Sequence, residues 1–235
     1  ISKATADAYH NWLGESSIRQ TQNFQNDWVH IGADIDGSKP SRGLPDDASA
    51  TLESIQSRLA FLSVATLEPR KGQQQIVEAF EQLWKEGQDL NLVFVGKQGW
   101  KVGALANQIE GHDEFGKRLF WLKGISDEYL EQIYAASTCL IAVSLNEGFG
   151  LPLIEAARHG IPIIARDIPV FREVAGDSAY YFFGLNADDL ANMAKEYHHE
   201  PALALGSGDD GLEITRKILE QAKHHLVDDG VLIVE

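Results

Sequence analysis

Cysteine is almost missing from this 235-residue chain: the one thiol is Cys139. A lone cysteine forms no intrachain disulfide, which excludes a cross-linked scaffold and fits a reducing compartment. The apolar run around it, CLIAVSL, places it in a buried strand and not at a reactive site. Basic residues are also scarce, 20 Lys and Arg against 35 Asp and Glu, for a formal net charge of −15. A surface that acidic repels phosphate backbones and anionic lipid headgroups, so nucleic acid and polybasic membrane anchoring are poor fits. Any anionic ligand has to be met by a local cluster of donors. No apolar run reaches the ~18 residues that span a bilayer. No stretch reads as a signal peptide, so a cytoplasmic protein is expected. The eight histidines show no metal-ligand spacing. His198-His199 and His224-His225 are adjacent pairs in polar stretches, where solvation suffices. No metal site is expected.

What is present is enough apolar material, 44% of residues, for one sizeable core. From Leu59 onward, short β-rich runs alternate with amphipathic stretches. The expected strands are AFLSVA (60–65), NLVFVG (91–96), LFWL (119–122), CLIAVSL (139–145), PIIA (162–165) and AYYFF (179–183). Most are continuously apolar, as strands covered on both faces of a parallel sheet are. Ile76, Val77, Phe80, Leu83 and Trp84 mark one face of a helix. Val102, Leu105, Ala106 and Ile109 mark a second, and Leu130, Ile133 and Tyr134 a third, with Ser126 as its N-cap. The alternation predicts βαβ units in a doubly wound α/β sheet. Ser38 to Ser49, polar with two prolines, reads as a linker or surface loop.

The stretch richest in chemistry is NEGFGLPLIEAARHG, Asn146 to Gly160, directly after a strand. Gly148 and Gly150 allow close backbone approach. Pro152 fits the first position of a helix and Gly160 the position just past its end. The free N–H groups at that helix start would suit a diphosphate. Glu147 and Glu155 bracket the loop, and each carboxylate can accept two hydroxyl hydrogen bonds from a sugar or ribose diol. Read without further context, Glu155 equally well favours its own helix terminus and Glu147 is solvated.

Glu147-Gly-Phe-Gly-Leu-Pro-Leu-Ile-Glu155 resembles the E-x7-E signature of the family 4 retaining glycosyltransferases, which adopt the GT-B fold. HIGADI (30–35), SVATLEPRKG (63–72), VFVGKQGW (93–100), GISDEYLEQIYAAS (124–137) and GIPIIARDIPVFREVAGDSAYYF (160–182) follow in the family's order. The resemblance covers nearly all of residues 1–183 and implies the Rossmann-like C-terminal domain of a GT-B enzyme. It implies Glu147 against the donor sugar, Glu155 on the ribose, and the amides of Gly148, Phe149, Gly150 and Leu151 around the diphosphate. It further implies Lys71 on the donor phosphates and Ile125 beside the nucleobase. The family's common pattern has an arginine where Thr66 stands; this chain carries Arg70 beside Lys71 instead. Arg70 either supplies that charge or is simply solvated, and Lys97 reads as a surface residue. The TLEPRK variant is similar to a subgroup with many mannosyltransferases and leans toward GDP-mannose.

The implied reaction is transfer of a hexose from a nucleoside diphosphate sugar to an acceptor hydroxyl, with retention and without metal or cofactor. Three segments are expected. Residues 1–30 read as the end of a preceding acceptor domain, 31–185 as the nucleotide-sugar-binding domain, and 186–235 as a helix-loop-helix-strand tail. The start at Ile1 and the end at VLIVE read as cuts in a larger design, with the acceptor domain missing and donor binding the most to be expected. Residues 196–235 resemble a late segment of the glutamine N5-methyltransferases, yet the chain has neither a glycine-rich cofactor loop nor an N-P-P-Y segment. A chimeric α/β domain without activity, or a methyltransferase fragment, are the alternative readings.

Overall fold

The computed structural model describes residues 2–16, 25–30 and 39–199. The expected second-domain start from residue 31, the helix Leu212 to Leu226 and the VLIVE strand lie outside the described residues. The chain divides into two compact units, Ile1–Met193 and Ala194–Glu235. The sheet belongs to the first.

Its strands are β1 (Leu59–Val64), β2 (Leu90–Val95), β3 (Leu119–Leu122), β4 (Cys139–Ala142), β5 (Ile163–Arg166) and β6 (Tyr180–Phe182). They lie in the order β3-β2-β1-β4-β5-β6, and every neighbouring pair is parallel. Phe61 of β1 sits opposite Leu92 on one side and Cys139 on the other. The chain thus winds outward from β1 in one direction, then returns to β4 and winds in the other. The strand order reverses between β1 and β4, and the crevice at their carboxyl ends is where such sheets take ligands.

The described residues form eight helices: α1 (Lys3–Glu15), α2 (Ala48–Gln56), α3 (Gln73–Lys85), α4 (Gly103–Glu110), α5 (Asp127–Ala136), α6 (Leu151–Arg158), α7 (Pro169–Ala175) and α8 (Ala187–His199). Alternate strand residues face opposite ways. Ala60, Leu62, Val93, Val95, Leu140 and Ile163 join Ile55 of α2, Ile133 of α5, Leu153 of α6 and Phe171 of α7 in one core. On the other face Phe61 meets Phe80 of α3 edge-on at 5.5 Å, and Trp84 continues the cluster at 5.7 Å. Apolar helical stripes on both faces explain why the strands are mostly apolar, with Ser63, Asn91 and Arg166 as buried exceptions.

Three local signals behave as expected. The Ser126 hydroxyl accepts from Tyr129 N at 3.1 Å and starts α5, with Asp127 and Glu128 in its first turn. Cys139 is fully buried, and that burial pushes its thiol well above the ordinary range. The polar stretch is irregular from residue 39 as expected, though it gives way to α2 at Ala48, before the expected end at Ser49, and it is pinned: Ser41 gives both its N–H and its hydroxyl to Asp127 at 2.7 Å. Two points need correction. β4 stops at Ala142, short of the expected Leu145, because the next groups find partners outside the ladder. Val143 O accepts from Arg166 Nε at 2.9 Å, and Leu145 N donates to Arg70 O at 2.8 Å. Leu151, not Pro152, is the first residue of α6, which moves the proline to the second position.

Candidate functional site

Two loops meet where the strand order reverses. The first leaves β1, forms a 3-10 turn at Pro69–Lys71, and enters α3 through Gly72. Gly72 is left-handed, with φ +72°, and a Cβ there would lie 2.7 Å from Val143 O. The absent side chain lets this loop press against the end of β4. The second loop leaves β4 and enters α6 through Gly150, at φ +97°. Gly148, by contrast, is not among the positive-φ glycines. The next left-handed residue, Gly160 at φ +65°, stands just past the end of α6 as expected.

Three charged side chains converge between these loops. Lys71 Nζ pairs directly with Glu147 Oε1, and both side chains are mostly buried, 14% and 13% exposed. Ser144 donates its hydroxyl to the same carboxylate at 2.7 Å. Arg70 Nη1 lies 3.6 Å from Glu147 Oε2, and its Nε bonds Glu68 at 3.0 Å. Arg70 and Lys71 are adjacent in sequence, yet both turn to Glu147. Arg70 is therefore not merely a solvated charge, although it stays half exposed. Two cations meet one buried carboxylate at the mouth of an otherwise acidic protein, which is the local donor cluster an anion needs.

The α6 start adds backbone donors. Among the described residues, no hydrogen bond engages the N–H groups of Gly148, Phe149, Gly150 or Leu151. Phe149 itself is buried, with His30 tilted over its ring at 5.6 Å. A small cavity between the loops is lined by Lys71, Ser144, Glu147, Gly150 and Pro152, over Phe171.

Glu155 sits one turn into α6 and accepts a 2.6 Å hydrogen bond from the Tyr134 hydroxyl of α5. Tyr134 stacks on His159 with rings 5.1 Å apart and nearly parallel. Thr66 is exposed beyond β1, its carbonyl taken by Gln73 Nε2 at 2.9 Å. Ile125 leaves β3, two strands away from β1, and packs against the core. Neither residue lines the cavity beside Lys71 and Glu147. Lys97 is exposed, as expected.

Sequence reasoning passed over Ser144 and Arg166, and read Tyr134 only as part of the face of α5. Ser144 carried a faint signal, a polar group in an apolar run. Arg166 carried a clearer one, a charge closing the strand IIAR. It is 6% exposed, and burial holds its guanidinium below the usual range. It binds Val143 O, Gly184 O and Gln75 Oε1, and so fixes the residue just past the end of β4. Among the described residues, no group of three or more His, Cys, Asp or Glu is arranged to hold a metal ion. No helix there is long and apolar enough to cross a membrane.

Comparison with known proteins agrees with this architecture. The fold is similar to the C-terminal domain of a glycosyl transferase group 1 family protein (LpcC) from Francisella tularensis. That match has a TM-score of 0.56 and 18% identity, and covers 74% of this chain and 93% of that one. In sequence the chain is 47% identical over 195 residues to the serotype-specific mannosyltransferase WbdA of Escherichia coli, covering 83% of this chain. It spans only 23% of that relative's length. A short stretch of 51 residues is 49% identical to the ribosomal protein uL3 glutamine methyltransferase of Burkholderia pseudomallei, 22% of this chain and 17% of that one. The family of glycosyl transferases group 1 matches residues 47–206, and the chain belongs to it.

Proposed function

We propose that this domain binds a nucleoside diphosphate sugar and presents its hexose for transfer, with retention, to an acceptor hydroxyl. The observation that carries the reading is the convergence of Lys71 and Arg70 on Glu147 beside four amides at the start of α6 that no described residue engages. In this reading the amides of Gly148, Phe149, Gly150 and Leu151 hold the diphosphate. Lys71 leaves Glu147 for a phosphate oxygen and offsets the negative charge that grows there as the glycosidic bond breaks. Arg70 takes the place of the charge absent at Thr66. Glu147, released from Lys71, turns to the sugar hydroxyls, while Glu155 receives the ribose and Ile125 flanks the base. Charge on the diphosphate is met by protein groups, without a metal ion or cofactor.

A mannosyltransferase named among the relatives supports mannose as the sugar, and the TLEPRK variant supports GDP-mannose as its donor form. Transfer also needs an acceptor held in line with the donor carbon, and the two-domain pattern of GT-B enzymes gives that task to a separate domain. The domain by itself is proposed to bind the donor without turning it over.

Calorimetric titration with GDP, UDP, TDP, their sugar conjugates and S-adenosylmethionine tests the reading. Binding of one nucleoside diphosphate is expected, at least tenfold weaker in Lys71→Met. Removal of Lys71 leaves Glu147 with Ser144 and Arg70, so the variant is expected to fold. Failure of every nucleoside diphosphate to bind a cooperatively melting sample would sink the reading, and binding of S-adenosylmethionine alone would replace it with methyl transfer.

A further inference from the structure

Helix α1 touches the donor loop through main-chain groups, and the geometry of those contacts has a directional consequence. Ser2 N donates to Gly148 O at 2.9 Å. The Thr5 hydroxyl lies 3.1 Å from Glu147 O and 3.2 Å from Gly148 O, shared between the two carbonyls. With its one proton committed there, Thr5 Oγ1 accepts from the Ser2 hydroxyl at 2.8 Å, and Ser2 Oγ accepts in turn from Thr5 N at 3.2 Å. Ser2 is fully buried, so water does not replace these bonds. The first turn of α1 is itself held in place. Lys3 N and Ala4 N both donate to the Glu173 carboxylate of α7 at 2.7 Å, and His30 Nε2 meets the same group at 2.7 Å.

All peptide bonds described are trans. In a trans peptide the C=O of one residue and the N–H of the next point in opposite directions across a rigid plane. A Glu147 carbonyl drawn toward α1 therefore turns the Gly148 N–H away from it. A Gly148 carbonyl drawn the same way turns the Phe149 N–H away. These are two of the four amides that no described residue engages. We propose that Ser2 and Thr5 are positioning residues of the donor site: by holding the Glu147 and Gly148 carbonyls, they aim the Gly148 and Phe149 amides at the donor's phosphates. The proposal rests on the donor-site reading above. Glu173 anchors the same device from α7, whose Phe171 also borders Gly150. Docking of α1 and donor binding then form one linked equilibrium, so each strengthens the other by the same factor.

Thr5→Val keeps the shape and removes the hydroxyl; Thr5→Ser restores it. In the full chain, Thr5→Val is expected to weaken GDP, or whichever nucleoside diphosphate the wild type binds, about tenfold. It should also speed amide exchange at Ser2, whose N–H is held by Gly148 O, in the ligand-free protein, while β1, β2 and β4 keep wild-type protection. Thr5→Ser should return both readouts to near wild type. Nucleotide should slow exchange in α1 of the wild type. Should Thr5→Val not fold, Ser2→Ala breaks the same hydroxyl chain one step earlier. Wild-type affinity in the variants, or equal loss in Thr5→Val and Thr5→Ser, overturns the proposal while the donor reading stands. A wild-type chain that binds no nucleoside diphosphate overturns both.

Discussion

The Tyr134 hydroxyl donates to Glu155 Oε2 at 2.6 Å and so ties α5 to α6. Tyr134 is 1% exposed. Burial, then the negative charge of Glu155, push its phenol far above the usual tyrosine range. The group is thus a permanent donor to that carboxylate and fixes one of its two oxygens. A hydrogen bond to a charged acceptor contributes about 2 kcal/mol net. Tyr134→Phe should cost about that much in stability, read as a lower denaturant midpoint at unchanged slope. It should also weaken nucleotide binding several-fold, because Glu155 loses its fixed orientation. An unchanged midpoint would show that the bond adds nothing to the fold.

The sheet, and Glu147 and Glu155 as candidates for the site, could be read from the residues, for reasons that are local. Strands such as LFWL are apolar on both faces, and LFWL needs no correction at either end. Ser126, Asp127 and Glu128 state a helix start within three residues. Two helices went unread. α2 (ASATLESIQ) has few apolar residues, and its last-turn carbonyls are met by Asn91 of β2, 37 positions from Ser54, at 2.8 Å. α7 has seven residues, too short for a periodic signal. The same limit applies to the site. Spacing identifies Glu147 and Glu155, but not that Arg70 turns inward with Lys71, nor that Ser144 and Tyr134 hold the two carboxylates. Those facts depend on which strands the sheet makes neighbours. The link from Ser2 and Thr5 to the loop 142 or more positions later had no sequence signature at all.

Acid should loosen the α1 attachment specifically. Burial alone would raise the Glu173 carboxyl, but the Ala4 amide, His30 and the Lys3 amide outweigh it and hold it below the ordinary value of 4.5. A carboxyl lowered on folding contributes stability that is present above its unfolded value and lost as pH falls through the folded one. The other titratable groups facing it are His30, whose Nε2 lies 2.7 Å from its carboxylate, and Lys3, itself paired with Asp7 at 2.5 Å. Wild type should melt higher than Glu173→Gln at pH 7. The gap should narrow as the pH drops below about 4.5 and close further down. A gap that stays constant from pH 7 to pH 3 would mean that the ionised carboxylate is not what holds α1.

Gly150 is poorly open to substitution. It stands at φ +97°, outside the range that side-chain-bearing residues adopt readily, so alanine is strained whatever room it finds. Room is also short, since an added Cβ would lie 3.1 Å from Phe171 Cε1 and 3.3 Å from Cδ1. Gly150→Ala should cost about 1–3 kcal/mol from the backbone alone. Trimming the ring in a Gly150→Ala, Phe171→Leu double variant relieves the contact but not the dihedral, and it removes packing from a residue that is 2% exposed. The double variant should therefore be no more stable than Gly150→Ala. Chemical denaturation of the wild type, both single variants and the double variant measures this directly. A double variant more stable than Gly150→Ala would locate the cost in the Phe171 contact; a Gly150→Ala as stable as wild type would show that the left-handed turn is dispensable to the fold.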